Sequence, residues 1–282
     1  MVSDRGSLTA MVAAACRAVE SQKPAGERLL YDPYAERFID ERGWDLFNRL
    51  VTVQPGAQLL HVLRTNAAEA HVRQEVMAGA RQVVIHGAGY DCSALRLEEL
   101  RGGPQVFEVD EPYTSELKRA RLAEILGALP SHVTYVAVDF VQETLEDLRR
   151  KLLEGGYDPR GRTVFVLGSV IMYLTAESVD YLFRFMAANA GEGSSVVLTN
   201  IDVNRLKTEE ARASSGVAKE IAQAGEPFQF GLGPEEIEGY LSLRGYHRAR
   251  WSSMREIKEE KGFPVCSPFD DHYYVVQAWV IR

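Results

Sequence analysis

The chain has 282 residues, of which 46% are hydrophobic and 26% are charged, which fits one large α/β domain better than two full domains. Its formal net charge is −8, so nucleic acid and anionic membranes are poor candidates for partners. The three cysteines are far apart and show neither metal-ligand spacing nor a disulfide framework, which is typical of a protein of the reducing cytoplasm.

The first eighty residues are predicted to form a helical cap. The apolar segment 8–16 runs on into Arg17 without a cleavage signal, so we interpret it as a helix packed on the domain. Asp32 followed by Pro33 predicts a helix start with Asp32 as its N-cap. Residues 58–80 predict a further helix with one apolar side. No apolar stretch reaches the roughly 18–20 residues needed to cross a bilayer, so no membrane partner is expected.

Strands and helices then alternate along residues 81–200. Strands are predicted at 82–86, 105–110, 133–138, 163–168 and 195–200, and helices near 93–100, 112–127, 142–153 and 176–190. The connections are too long for hairpins, so the strands should form a parallel sheet covered on both faces. The predicted fold class is therefore α/β.

The pattern changes after residue 200. A charged helix is predicted at 203–224, within an insertion of residues 201–232 that we expect to form a lid. A helix follows Gly233, and two runs at 246–251 and 273–281 are predicted to close the sheet as an antiparallel pair. We thus predict a single domain, residues 1–282, with a cap (1–80), a cofactor-binding core (81–200), the lid and a closing helix and hairpin (233–282).

The most specific signal lies where the first predicted strand ends. Gly87 and Gly89 follow the apolar run and form the pattern Gly-x-Gly-x-Asp with Asp91. These glycines predict a tight turn over which a ligand approaches the backbone. Cys92 stands where a dinucleotide motif has its third glycine, which argues against NAD or FAD. A nucleoside cofactor without phosphates, S-adenosylmethionine, needs only the tight turn.

Acidic residues end the next two predicted strands. Asp110 is placed to hydrogen-bond both ribose hydroxyls of a nucleoside. Glu108 points to the same side of that strand and is the alternative ribose ligand. Asp139 is placed to accept a hydrogen bond from an adenine amine, while the ring of Phe140 packs on the base. All these residues fall at the carboxyl edge of the sheet, where open α/β sheets bind ligands.

Together, these motifs resemble the leucine carboxyl methyltransferase-like family of S-adenosylmethionine-dependent methyltransferases. The family includes a eukaryotic phosphatase-tail methyltransferase and bacterial members, some of them in polyketide biosynthesis. The resemblance implies a Rossmann-like class I methyltransferase fold, with a mostly parallel seven-stranded sheet and an antiparallel C-terminal strand. The matching residues run from about 10 to 190 and comprise Asp32-Pro33-Tyr34, Arg64-Thr65, 87–91, Arg96-Leu97, 107–112, Lys118, Asp139-Phe140 and 170–174.

The resemblance also implies roles for single residues. Arg64 corresponds to an arginine that pairs with the methionine carboxylate of the cofactor, a partner that suits a planar guanidinium. Arg17 corresponds to a second basic residue near that carboxylate. The resemblance implies three further cofactor contacts. Gly87 lies beneath the cofactor, Asp110 binds the ribose, and Asp139 with Phe140 binds the adenine.

One position departs from the family. Gly168 stands where the family usually has a glutamate that faces the cofactor. The site therefore lacks one carboxylate near the sulfonium. Ser169, Glu111 and Asp202 are the residues that we expect to compensate.

The acceptor pocket is expected between the N-terminal helices and the lid. Tyr173, after the fourth strand, lies where the acceptor should arrive, and Tyr34 and Phe228 are predicted to line the pocket. Tyr31 and Phe230 are further candidates for this lining. An apolar cavity of this kind suits a ring system.

We therefore expect an S-adenosylmethionine-dependent O-methyltransferase that acts on a carboxylate or hydroxyl of a small, polyketide-like molecule. His61 and His272 are candidate bases for a hydroxyl acceptor, and no catalytic residue is assigned. Methylation of a protein C-terminal carboxylate and an NAD-type oxidoreductase stay open as alternatives. A third alternative, suggested by Gly168, is a catalytically silent cofactor-binding module.

Overall fold

A computed structural model of the chain describes residues 6–140, 142–203, 216–265 and 267–281. Its strands are β1 (Gln82–His86), β2 (Gln105–Asp110), β3 (Val133–Ala137), β4 (Thr163–Leu167), β5 (Ser195–Ile201), β6 (Tyr246–Ser253) and β7 (Tyr273–Val280). Its helices are α1 (Leu8–Ser21), α2 (Glu41–Val53), α3 (Ala57–Met77), α4 (Ser93–Arg96), α5 (Glu98–Arg101), α6 (Pro112–Leu126), α7 (Leu145–Glu154), α8 (Ala176–Ala188), α9 (Gly216–Gln223), α10 (Pro234–Ser242) and α11 (Met254–Glu260).

The seven strands form one sheet in the order β3-β2-β1-β4-β5-β7-β6. Strands β1 to β5 are parallel to one another, and β7 runs antiparallel to both β5 and β6. The predicted fold class and the predicted closing pair are thus confirmed. From β1 the chain continues to β2 and β3 on one side, and from β4 it continues to β5 on the other side. This reversal of direction leaves a crevice between β1 and β4 at their carboxyl ends.

The core consists of two apolar layers because alternate residues of the buried strands point to opposite faces. Val84 of β1 packs on one face with Phe165 and with Leu148 of α7. Val83 packs on the other face, in the layer that includes Val72 of α3. The two layers cover the sheet from both sides, so the central strands β1 and β5 are buried throughout. This burial explains the continuous apolar runs of these strands.

His86 ends β1 inside this core. Its ring stacks on that of Phe165 with 6.2 Å between centroids, and burial lowers its pKa to about 4. The histidine is therefore neutral at pH 7, and it packs there as an aromatic ring.

Three predictions concern the N-terminal helix, the charged helix at 203–224 and membrane-spanning helices. The predicted helix on the domain is α1, which begins after Ser7, whose hydroxyl accepts from the amide of Ala10. Most of the predicted charged helix at 203–224 lies outside the described residues; α9 is its described part. Within the described residues, no helix combines the length and apolar character that crossing a membrane requires.

Two local predictions were wrong. The helix expected at 93–100 is two single turns, α4 and α5, because Leu97 between them is extended (φ −79°, ψ 120°). The helix expected from Asp32 starts only at Ala35, as a 3-10 turn. One Asp32 oxygen does accept from the amides of Tyr34 and Ala35, but the other bonds Arg17, so Asp32 joins two elements instead of capping a helix at Pro33.

Candidate active site

A cavity of about 470 Å³ opens at the carboxyl ends of β1, β2 and β4. The turn after β1 and the segment after β4 line it together with side chains of α1, α2, α3 and α9. Its volume is in the usual range for small-molecule sites, and it lies in the crevice where the strand order reverses. The predicted glycine turn, Asp110, Arg64 and Arg17 all reach its wall.

The turn after β1 has space for glycine only. Gly87 and Gly89 have φ values of +58° and +47°, in the left-handed region that other residues rarely adopt. A Cβ atom on Gly87 would lie 2.6 Å from Cγ2 of Val170, and one on Gly89 would lie 3.1 Å from Cβ of Ala10. The turn thus brings bare backbone to the cavity, as its sequence predicts.

Asp110 ends β2 and is tied to this turn. Its Oδ2 accepts from the amide of Gly89, and its Oδ1 accepts from the amide of Glu111 at 2.7 Å. Each carboxylate oxygen keeps a lone pair for a further donor. Burial raises the pKa of Asp110. Asp110 can therefore hold two hydroxyls of a ligand that lies on the turn.

Glu108, the alternative ribose ligand, lies elsewhere. Its Oε2 is 2.6 Å from Nζ of Lys118, and both side chains are buried. Glu108 is not among the residues that line the cavity. The pair instead fixes α6 against β2.

Arg64 presents a buried guanidinium to the cavity from α3. It is 7% exposed, and its Nε and Nη2 donate to Nδ1 of His61 at 3.1 and 2.9 Å. No carboxylate of the described residues forms an ion pair with it. Nη1 lies 3.4 Å from the point where a Cβ on Gly168 would be. A buried cation without a charged partner is a strong site for an anion.

His61 lies on the cavity wall as a neutral ring. Burial and the neighbouring charge of Arg64 hold its pKa well below the usual range. Because Nδ1 accepts from Arg64, the neutral ring carries its proton on Nε2. This tautomer offers a donor and not a base, which argues against the predicted role of His61 as a base.

Arg17 lies next to the glycine turn but has a partner. Its Nε donates to Oδ2 of Asp32 at 2.8 Å, and its Nη2 donates to the carbonyl of Tyr90 at 2.6 Å. Burial alone would raise the pKa of Asp91, but the charges of Arg17 and Arg96 lower it to about 2. This buried network holds the turn in place, and it leaves Arg17 less free than Arg64 to bind an anion.

The adenine candidates follow β3 but do not reach the cavity wall. The amide of Val138 donates to the carbonyl of Asp110, which places this segment beside the ribose candidate. Oδ2 of Asp139 accepts from Nε2 of Gln142 at 3.0 Å, and Phe140 is 54% exposed. Both residues are at the predicted edge of the sheet.

The predicted acceptor residues are only partly brought together. Tyr173 and Phe228 line the cavity, and their ring centroids are 5.7 Å apart. Tyr34 packs instead in the cluster of Phe38 and Tyr90 on the far side of α1. The other candidates, Tyr31, Phe230 and His272, are not among the cavity-lining residues either.

Ser169, next to Gly168 in the chain, and Glu111 line the cavity, whereas Asp202 does not. Ser169 has a φ of +59°, and its hydroxyl lies 2.8 Å from that of Tyr273. Two hydroxyls thus lie near the position that lacks the family's acid.

Sequence reasoning missed a carboxylate on the wall. Glu226 follows α9, and its two oxygens accept from the hydroxyls of Ser7, at 3.2 Å, and Thr9. More than 200 residues separate these partners in sequence, and a polar residue in a polar segment gives no periodic signal. Only the fold brings them together.

Solved structures share this fold. A candidate methyltransferase from Thermobifida fusca aligns with a TM-score of 0.66 over 99% of this chain and 96% of its own, at 17% identity. A DUF574 family protein from Streptomyces avermitilis aligns with a TM-score of 0.68 over 98% of each chain, at 15% identity. The strand order and these alignments show that the chain has the Rossmann-like fold of class I methyltransferases.

Sequence comparison then gives the family. Residues 10–187 match the model of the leucine carboxyl methyltransferase family, and the chain belongs to that family. A protein of Mycobacterium bovis, named as a candidate S-adenosyl-L-methionine-dependent methyltransferase, is 31% identical over 95% of this chain and 90% of its own. YktD of Bacillus subtilis, named in the same way, is 33% identical over 64% of this chain, and the match spans 59% of YktD. The names of both relatives give S-adenosylmethionine as their cofactor.

Proposed function

We propose that the chain is an O-methyltransferase that modifies a carboxylate or hydroxyl of a small molecule. The observation that carries this proposal is the buried guanidinium of Arg64, which has no charged partner among the described residues. It lies on the wall of a cavity whose other side is apolar apart from Glu226. The cation suits the cofactor's amino-acid end, and Phe47, Leu50 and Phe228 suit an apolar acceptor.

The residues present fit S-adenosylmethionine. Arg64 would hold its carboxylate, and Asp110 would hold its ribose hydroxyls. Gly87 and Gly89 would allow the backbone to approach it, and no phosphate-binding third glycine is needed. When bound, the cofactor supplies a methyl group on a positively charged sulfur.

The contribution of the chain to the reaction is positioning. Methyl transfer requires the acceptor oxygen, the methyl carbon and the sulfur in line, and good alignment can supply roughly 7–11 kcal/mol of the barrier. The cavity wall excludes water from the acceptor, and Tyr173 orients it from the segment after β4. A carboxylate acceptor is already ionised at pH 7, whereas a hydroxyl needs a group that takes its proton.

Calorimetry with S-adenosylmethionine, its demethylated product S-adenosylhomocysteine and NAD tests the cofactor. We expect binding of the first two and none of NAD. Methyl transfer to a panel of phenolic and carboxylic acceptors then tests the reaction. Binding without transfer to any acceptor would favour a silent cofactor-binding module instead.

A further inference from the structure

One wall of the cavity has a distinct charge pattern. It is formed by α2, α9 and the segment after α9, and the side chains it presents include Phe47, Leu50, Ile221 and Phe228. Among the described residues of this wall, Glu226 is the one ionisable group. In the described part of this wall, the acceptor therefore meets an apolar surface with a single negative charge.

Glu226 has neutral partners. Its oxygens accept from the hydroxyls of Ser7 and Thr9, and no lysine or arginine of the described residues forms an ion pair with it. A carboxylate that accepts only from hydroxyls keeps its negative charge uncompensated. It can accept a proton, and it repels a second anion.

Thr9 and Glu226 both line the cavity. Thr9 donates to Oε2 of Glu226, so its hydroxyl connects Glu226 to the acceptor region. Burial, together with the negative charge of Glu226, raises the pKa of Tyr173. Tyr173 thus stays protonated and does not act as the base.

We propose that the acceptor is an apolar aromatic alcohol, and that Glu226 takes the proton of its hydroxyl through Thr9. This inference rests on the proposed function and decides between its two acceptor types. A carboxylate acceptor would place a second negative charge beside Glu226. The cavity's two arginines do not offset it, because Arg17 is paired with Asp32 and Arg64 is taken by the cofactor's carboxylate.

The reaction balances in atoms and charge. The acceptor oxygen bonds the methyl carbon while the carbon–sulfur bond breaks, and sulfur keeps the electron pair and becomes neutral. The acceptor proton goes to Oγ1 of Thr9, and the Thr9 proton goes to Glu226. The carboxylate becomes a neutral acid and loses its proton to solvent when the product leaves.

Binding of two probes of equal shape tests the charge argument without turnover. Fluorescence titrations in the presence of S-adenosylhomocysteine compare 2-naphthol, a phenol that is neutral at pH 7, with 2-naphthoate. We expect the wild type to bind 2-naphthol at least roughly tenfold more tightly, since like charges in an interface are costly. Glu226→Gln should remove most of that preference. Equal affinities, tighter binding of 2-naphthoate or no binding of 2-naphthol would overturn the inference.

Kinetics with 2-naphthol test the proton transfer. Glu226→Gln keeps the size of the side chain and one oxygen that accepts from a hydroxyl, so a merely structural role predicts only a small loss. We expect it to lower kcat roughly 10²–10⁴-fold, the usual contribution of a proton-accepting group. Glu220→Gln is the matched control on α9, because Glu220 pairs with Arg49 outside the cavity, and it should leave kcat unchanged.

Thr9 gives an independent check of the path. Thr9→Val keeps the shape of the side chain but removes the hydroxyl that links the acceptor to Glu226. Thr9→Ser restores this hydroxyl. We expect a large loss of kcat in the first variant and recovery in the second. If S-adenosylhomocysteine fails to bind the wild type, the proposed function itself is wrong. If it binds but Glu226→Gln keeps the wild-type kcat, only the present inference is wrong.

Discussion

Replacing Arg64 by methionine tests the cofactor end of the site. Its guanidinium is 7% exposed, so solvent screens it weakly, and its only hydrogen-bond partner among the described residues is His61. A hydrogen bond to a charged group contributes about 1.5–3 kcal/mol. A loss of about 2–3 kcal/mol raises the Kd of S-adenosylhomocysteine roughly 30–150-fold.

Calorimetry with two ligands isolates the contact. 5′-Methylthioadenosine keeps the nucleoside and the sulfur of S-adenosylhomocysteine but lacks its carboxylate. We expect Arg64→Met to weaken S-adenosylhomocysteine strongly and 5′-methylthioadenosine hardly at all. Arg73→Met is the matched control on α3, because Arg73 is 38% exposed and pairs with Glu69. Equal losses for both ligands in a folded Arg64→Met protein would refute the assigned contact.

Three further predictions concern stability, each measured by urea unfolding. Gly87→Ala should lower the free energy of unfolding by about 1–2 kcal/mol because of the left-handed backbone. The clash of the new Cβ with Val170 should lower it by about 1–3 kcal/mol more. Gly127→Ala, with a φ of +77° and no neighbour within 4 Å, should cost the backbone part alone; equal losses would contradict the clash. The pKa of His86 is about 4 in the folded protein and about 6.5 in the unfolded chain. The contribution of neutral His86 to the free energy of unfolding is therefore fully present above pH 6.5 and is lost as the pH falls towards 4. The wild type should therefore lose about 2 kcal/mol more than His86→Phe between pH 7 and 5, and parallel curves would show that His86 does not titrate this way. Lys118→Met should cost about 3–5 kcal/mol by leaving Glu108 buried without its partner, and adding Glu108→Gln should recover much of it; a loss below about 1 kcal/mol would show that the pair is solvated.

The sequence by itself determined the sheet and one half of the cavity. The five parallel strands lie within one residue of their predicted bounds, because buried strands need continuous apolar, β-branched runs. The sequence also predicts the Gly-x-Gly turn and the position of Asp110, for a similar reason. A tight turn demands glycine, and the end of a strand places an acid at a known edge of the sheet.

Only the tertiary structure decided the other half. Glu226 meets Thr9 across more than 200 residues, and Asp32 meets Arg17 instead of capping a helix. Tyr34 packs behind α1, and His61 faces Arg64, which sets its tautomer. These outcomes depend on which side chains the packed elements bring within about 3 Å of each other. Local sequence patterns carry no information on such contacts, because they record the period of one element and not the position of its neighbours.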